Sequence, residues 1–155
     1  MRVRRIATDD LAGIGWLDDG THAGIEAAVA AGTERALVLV AVDDADAVVG
    51  VVAVDLPPWR GRTLPWLWLL DVRPERRGGV GTALLSGAHG QLAELGHRAV
   101  ELSVDDANPR AAALYLRTGY VGVGRGADPG VGGPEPWTRM RLQLAMEPAQ
   151  TRRNR

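Results

Sequence analysis

The chain of 155 residues is long enough for one domain with a buried core and too short for two. It is 46% hydrophobic and 24% charged, the balance of a soluble globular protein, and 18 basic against 19 acidic side chains leave a formal charge of −1, which excludes a basic nucleic-acid surface. Cysteine is absent, so disulfides, thiolate metal sites and a cysteine nucleophile are excluded together. All 18 basic residues are arginine. No apolar run approaches the roughly 20 residues of a membrane helix, and the opening "MRVRRIATDD" turns polar too early for a signal peptide. The expectation is a cytoplasmic protein with no membrane and no nucleic-acid partner.

Residues 2–7 alternate weakly as a first strand, and Thr8, Asp9 and Asp10 offer N-cap chemistry for a helix over 11–19. A second helix fits 22–32, closed by Gly32. Strong β formers at 35–42 and 47–56, joined by "DDAD", make a hairpin. Pro and Gly keep 57–65 a loop, "WLWLLDV" at 66–72 is a buried strand, and a helix of about fifteen residues starts at Val80 and ends before Gly96. A strand at 98–104 carries Val100, Leu102 and Val104 on one face. Asn108 caps a short helix with Pro109 at its first position. A strand at 120–124, a Gly/Pro loop at 125–136, a strand at 137–145 and a disordered tail at 147–155 complete the chain. This order reads as one α/β domain over 1–146, with a mixed, largely antiparallel sheet of six to seven strands and about four helices.

The stretch "RRGGVGTALL" (76–85) is the first candidate for chemistry. Glycines let backbone N–H groups approach an anion, and a helix N-terminus supplies unpaired donors and a favourable dipole. A Walker A loop is excluded, because it ends in Gly-Lys and the chain has no lysine. A dinucleotide fingerprint is excluded because Leu84 stands where its third glycine belongs. "GVGRGA" (122–127) matches that fingerprint in letters but leads into Asp128-Pro129-Gly130 rather than a helix. What is left is R-x-x-G-x-G, carried by Arg76, Gly79 and Gly81; taken alone, it is open between an anion seat and a solvated surface turn.

The stretch does not stand alone. Val72-Arg73-Pro74 precedes it, and Asn108, Tyr115 and Gly119-Tyr120 follow on the next strand–helix unit. In this order and spacing they resemble the two signature regions of the GNAT superfamily of N-acetyltransferases. The resemblance implies acetyl-CoA as donor, with its pyrophosphate on the loop Arg76, Arg77, Gly78, Gly79, Val80, Gly81 and Thr82. It implies pantetheine hydrogen-bonded along Leu70, Asp71 and Val72, and a backbone N–H near Val72 for the oxyanion. Asn108 is implied as a further cofactor contact, and Tyr115 as the general acid that protonates the CoA thiolate. The acceptor is expected to be a primary amine of a small molecule or peptide, and a homodimer is expected because members often pair. The alternative is a non-catalytic acyl-CoA-binding module.

The general base is less defined. Some relatives carry a glutamate five residues before the motif asparagine, where this chain has Ser103. Strand alternation puts Glu101, Ser103 and Asp105 on one face, and Glu101 is the candidate, with Asp105, Asp55 and Asp71 as others. Trp16, Asp18, Asp19, His22, Trp59, Arg60, Arg62 and Trp137 are available to an acceptor, the acids for a cationic amine, the arginines and Trp137 for an aromatic or carboxylate-bearing one. His22, His89 and His97 lack ligand spacing, and no metal is expected.

Overall fold

The computed structural model describes residues 1–59, 61–76, 78–126 and 136–145, so the expected tail at 147–155 and most of the expected loop at 125–136 lie outside the described residues. Two compact units emerge, Met1–Gln91 and Leu92–Arg155. Among the described residues no helix is long and apolar enough to cross a membrane.

The first unit holds β1 (Arg2–Arg5), a 3-10 helix over Thr8–Ile14, α1 (Asp19–Ala31), β2 (Ala36–Val42), β3 (Val48–Asp55), β4 (Trp66–Val72), a 3-10 turn at Pro74–Arg76, and most of α2 (Val80–Glu94). Its strands pair β1–β2, β2–β3 and β3–β4, all antiparallel. Every residue of β2 is buried, and every residue of β3 up to Val54. Such uninterrupted apolar runs belong to strands covered on both faces. One face packs Val38, Val40, Val51 and Ala53 with Ile14, Leu17 and Ile25. The other receives α2 at Gly50, where a Cβ would sit 2.8 Å from Leu84 Cδ1 and 3.0 Å from Val80 Cγ1. Glycine there lets the first turns of α2 lie directly on β3, which fixes where the helix begins.

Two local features differ from the sequence expectation. The helix expected over 11–19 is a 3-10 helix ending at Ile14, and α1 opens at Asp19. The reason is competition for caps: Asp10 reaches back to the Ala7 N–H at 2.6 Å and to Arg4 at 2.7 and 2.9 Å, while Asp18 accepts from the Thr21 N–H at 2.8 Å and Oγ1 at 2.7 Å. A cap at Asp18 starts a new helix there. In β4, Ala53 pairs with Leu69 but Val54 with Leu67, so Trp68 is the extra residue of a bulge.

The second unit holds β5 (Ala99–Asp105), α3 (Pro109–Thr118), β6 (Val121–Gly126) and β7 (Trp137–Gln143). Strand β7 pairs antiparallel with β5 and with β6. Val100, Leu102, Val104 and Met140 are buried and make the apolar face, while Glu101, Ser103 and Asp105 lie opposite Arg141, Arg139 and Trp137 on the other. Among the described residues, seven strands with antiparallel pairing inside each unit, three α-helices and two 3-10 segments meet the expected α/β class.

Candidate functional site

The chain between β4 and α2 turns through two consecutive glycines in left-handed geometry, Gly78 at φ 122° and Gly79 at φ 85°. Residues with a Cβ are strained there, which is the physical reason for the paired glycines. The Gly79 carbonyl accepts from the Ala83 N–H at 3.0 Å, so Gly79 is the cap of α2. A glycine cap has no side chain to offer. The amides of Val80, Gly81 and Thr82 are the first of the helix and have no partner within it. Among the described residues nothing lies within 4 Å of a Cβ built on Gly78 or Gly79. Unpaired amides at a helix start are the kind of donors that can bind an anion.

Arg76 has a partner within the chain. Its guanidinium pairs with Asp43, in the turn between β2 and β3. Asp43 also accepts from the Ala45 and Ala47 N–H groups, each at 2.9 Å. The Ala47 amide first, then Ala45 and Arg76, hold this carboxyl below the usual range. Sequence reasoning missed Asp43; the Asp at the start of "DDAD" marked a turn but gave no sign of a partner 33 residues away. Arg77 lies outside the described residues, as does Arg60.

At the end of β4 the backbone has a defined sidedness. The Arg73 N–H donates to the Val49 carbonyl at 2.9 Å, so alternation along the antiparallel pair directs the groups of Asp71 toward β3 and those of Leu70 and Val72 away from it. Of the three expected pantetheine partners, Leu70 and Val72 have outward backbone groups, and the main chain of Asp71 is engaged by β3.

In the second unit Asn108 caps α3 as expected, accepting from the Ala111 N–H at 3.2 Å. Tyr115 is 8% exposed, and its ring meets Tyr120 edge-on with centroids 5.5 Å apart. Burial pushes the Tyr115 phenol up to about 12, so it keeps its proton at neutral pH. Glu101 is buried and bound by Arg141, which faces it across the β5–β7 pair, at 2.8 Å from Nε and 2.7 Å from the terminal nitrogen. A carboxylate held in this way is occupied by its neighbour. Among the described residues, Ser103 Oγ, Trp137 Nε1 and Arg139 Nε are buried without a hydrogen-bond partner.

The remaining acceptor candidates have local duties. Asp18 caps α1 and Asp19 sits in its first turn. His22 places Nδ1 2.9 Å from Glu26 and Nε2 3.0 Å from the Leu11 carbonyl. Arg62 stacks on Trp66 at 3.9 Å and lies 5.8 Å from the centre of Trp59, giving the loop before β4 a cation–π core. Trp16 packs on the first unit's core with Nε1 unpaired.

Comparison with known proteins adds an independent line. A family model described as "Acetyltransferase (GNAT) family" matches residues 3–120. Mycothiol acetyltransferase of Propionibacterium freudenreichii subsp. shermanii is 37% identical over 83 residues, which are 53% of this chain and 27% of that protein. The chain thus spans about a quarter of the length of that curated relative. A GNAT-family protein of Desulfovibrio desulfuricans superposes with a TM-score of 0.77 at 18% identity, over 93% of this chain and 99% of that one. An aminoglycoside 6'-N-acetyltransferase complexed with coenzyme A superposes with a TM-score of 0.72 at 20% identity, over 96% and 99%. At these identities the two structures speak for the fold alone.

Proposed function

The chain belongs to the GNAT family of acetyltransferases, and from that premise we propose that it moves the acetyl group of acetyl-CoA onto a primary amine of a small molecule or peptide. The observation that carries this is the glycine-capped start of α2, whose unpaired amides at Val80, Gly81 and Thr82 suit a pyrophosphate. The outward N–H and C=O of Leu70 and Val72 suit the pantetheine amides, with the Val72 N–H donating to the oxyanion. Asn108 acts here as helix cap and cofactor contact.

Acetyl transfer forms a C–N bond and breaks the C–S bond, and the proton lost by nitrogen balances the one gained by sulfur. Tyr115 is the proposed acid. With the phenol near 12 and a thiol reference near about 8.5, complete transfer to a free thiolate is uphill by roughly 5 kcal/mol. Tyr115 therefore acts by donating a hydrogen bond to the departing sulfur, and its proton crosses only as the nitrogen's proton is released. Glu101, held by Arg141, takes part as a base only if that pair opens; an amine arriving neutral needs none. A cytoplasmic location and a homodimer belong to the same proposal.

Thiol release from acetyl-CoA across an amine panel tests the reading. Tyr115→Phe is expected to lower kcat about 100-fold while leaving the acetyl-CoA KM nearly unchanged. Wild-type turnover in that variant removes the acid role. Coenzyme A binding without thiol release for any amine favours the binding-module alternative.

A further inference from the structure

The polar face of β5, β7 and β6 holds three side-chain groups that no group among the described residues satisfies. Ser103 on β5 stands directly opposite Arg139 on β7, and Trp137 lies two residues before Arg139 on the same face. Ser103 Oγ, Arg139 Nε and Trp137 Nε1 are each buried and, among the described residues, each lack a hydrogen-bond partner. Buried N–H and O–H groups are ordinarily paired, so three neighbours left unpaired on one face point to a group supplied from outside.

The described acids of β5 and the turn after it do not answer them. Glu101 is bound by Arg141. Asp105 accepts from the Ala107 N–H at 2.9 Å, and Asp106 takes Arg125 and the Thr138 hydroxyl. Among the described residues Arg139 has no ion pair. It is held by shape instead: Gly124 faces it across the β6–β7 pair, and a Cβ there would lie 3.4 Å from an Arg139 terminal nitrogen and 3.6 Å from Nε. Gly126 faces Trp137, whose ring would lie 2.8 Å from its Cβ. The two glycines on β6 thus leave room for the guanidinium and the indole, which a side chain at either position would crowd.

We propose that this face is a carboxylate seat, in which Arg139, with Trp137 and Ser103, binds the anionic end of the acceptor. Arg139 and Trp137 present donors only, the Ser103 hydroxyl can donate as well, and a carboxylate presents acceptors only. Naming the occupant as an amine that carries a carboxylate, an amino acid or a chemically similar compound, rests on the transferase reading; the seat itself rests on the unpaired donors.

The experiment titrates wild-type protein and Arg139→Leu with matched pairs, lysine against cadaverine and phenylalanine against phenethylamine, by calorimetry and tryptophan fluorescence. The same pairs are run for thiol release with acetyl-CoA. The carboxylate-bearing member of at least one pair is expected to bind about 10- to 100-fold more tightly, the range of a charge-assisted hydrogen bond. Arg139→Leu abolishes that preference, Arg139→Lys restores part of it, and Ser103→Ala, which leaves the packing intact, weakens it. Circular dichroism confirms that the variants fold. Equal binding of both members in every pair, no binding of any, or a preference that survives Arg139→Leu overturns the seat. A carboxylate preference in binding with no thiol release keeps the seat and removes the transferase reading. Thiol release indifferent to the carboxylate does the reverse.

Discussion

In the first unit β2 is buried along its whole length, whereas in the second unit buried Met140 is flanked on β7 by half-buried Thr138, Arg139 and Arg141. Both units use a glycine opposite a large neighbour, with different results. Gly50 admits the backbone-anchored side chains of α2, and Gly126 admits the ring of Trp137. In the first unit the missing Cβ serves packing, and a helix start is placed by it. In the second it makes room for a side chain on a polar face.

The comparison breaks most sharply at Gly50. A valine there drives its branches into Leu84 and Val80, and overpacking of this kind costs about 1–3 kcal/mol. Urea denaturation should show that loss together with weaker coenzyme A binding, since the first turn of α2 moves. Unchanged stability in Gly50→Val means the helix is not seated as described. The matched change in the second unit is Gly126→Ala. Its Cβ displaces the Trp137 ring rather than a helix, so the stability change is expected within about 1 kcal/mol. Discrimination between the amines of each pair should fall while the acetyl-CoA KM holds.

The smallest effects are pH effects, and they carry opposite signs. Both ring nitrogens of His22 face acceptors, so the Leu11 carbonyl first and then Glu26 raise its pKa. Its contribution is complete below the unfolded value of about 6.5 and is lost as pH rises through the raised folded value. Burial alone lowers His89 to about 4. That residue favours the fold above about 6.5, and the benefit is lost as pH falls from there toward about 4. Thermal melts of wild type, His22→Leu and His89→Leu across this range should show the alkaline slope flattened in the first variant and the acidic slope flattened in the second.

Much of this was legible in the residues. The hairpin of β2 and β3, the cap at Asn108, the glycine turn before Val80 and the seven strands follow from local chemistry, since β-branched runs, caps and left-handed glycines act within a few residues. What escaped depends on distance in the chain. Asp43 reaches Arg76, and Arg141 holds Glu101, 40 residues away, through pairings no local pattern encodes. The 3-10 helix at Thr8–Ile14 escaped because two aspartates, Asp10 and Asp18, compete to define a start. The bulge at Trp68 escaped because an apolar strand buried on both faces carries no alternation to reveal a slipped register. Arg139 was passed over because a lone arginine on a strand looks like an exposed charge. The glycines at 124 and 126 were the signal available, and it becomes readable only once β6 is laid against β7.

The pair between Arg76 and Asp43 has a consequence for how the donor is held. This arginine comes to the glycine turn with its counter-charge already beside it, so it adds little net field to the loop. The share of donor affinity that comes from the amides of Val80, Gly81 and Thr82 is short-ranged and dipolar, and added electrolyte screens such contacts far less than it screens free surface cations. If the donor is held there, raising the ionic strength is expected to weaken this part of the grip only slightly.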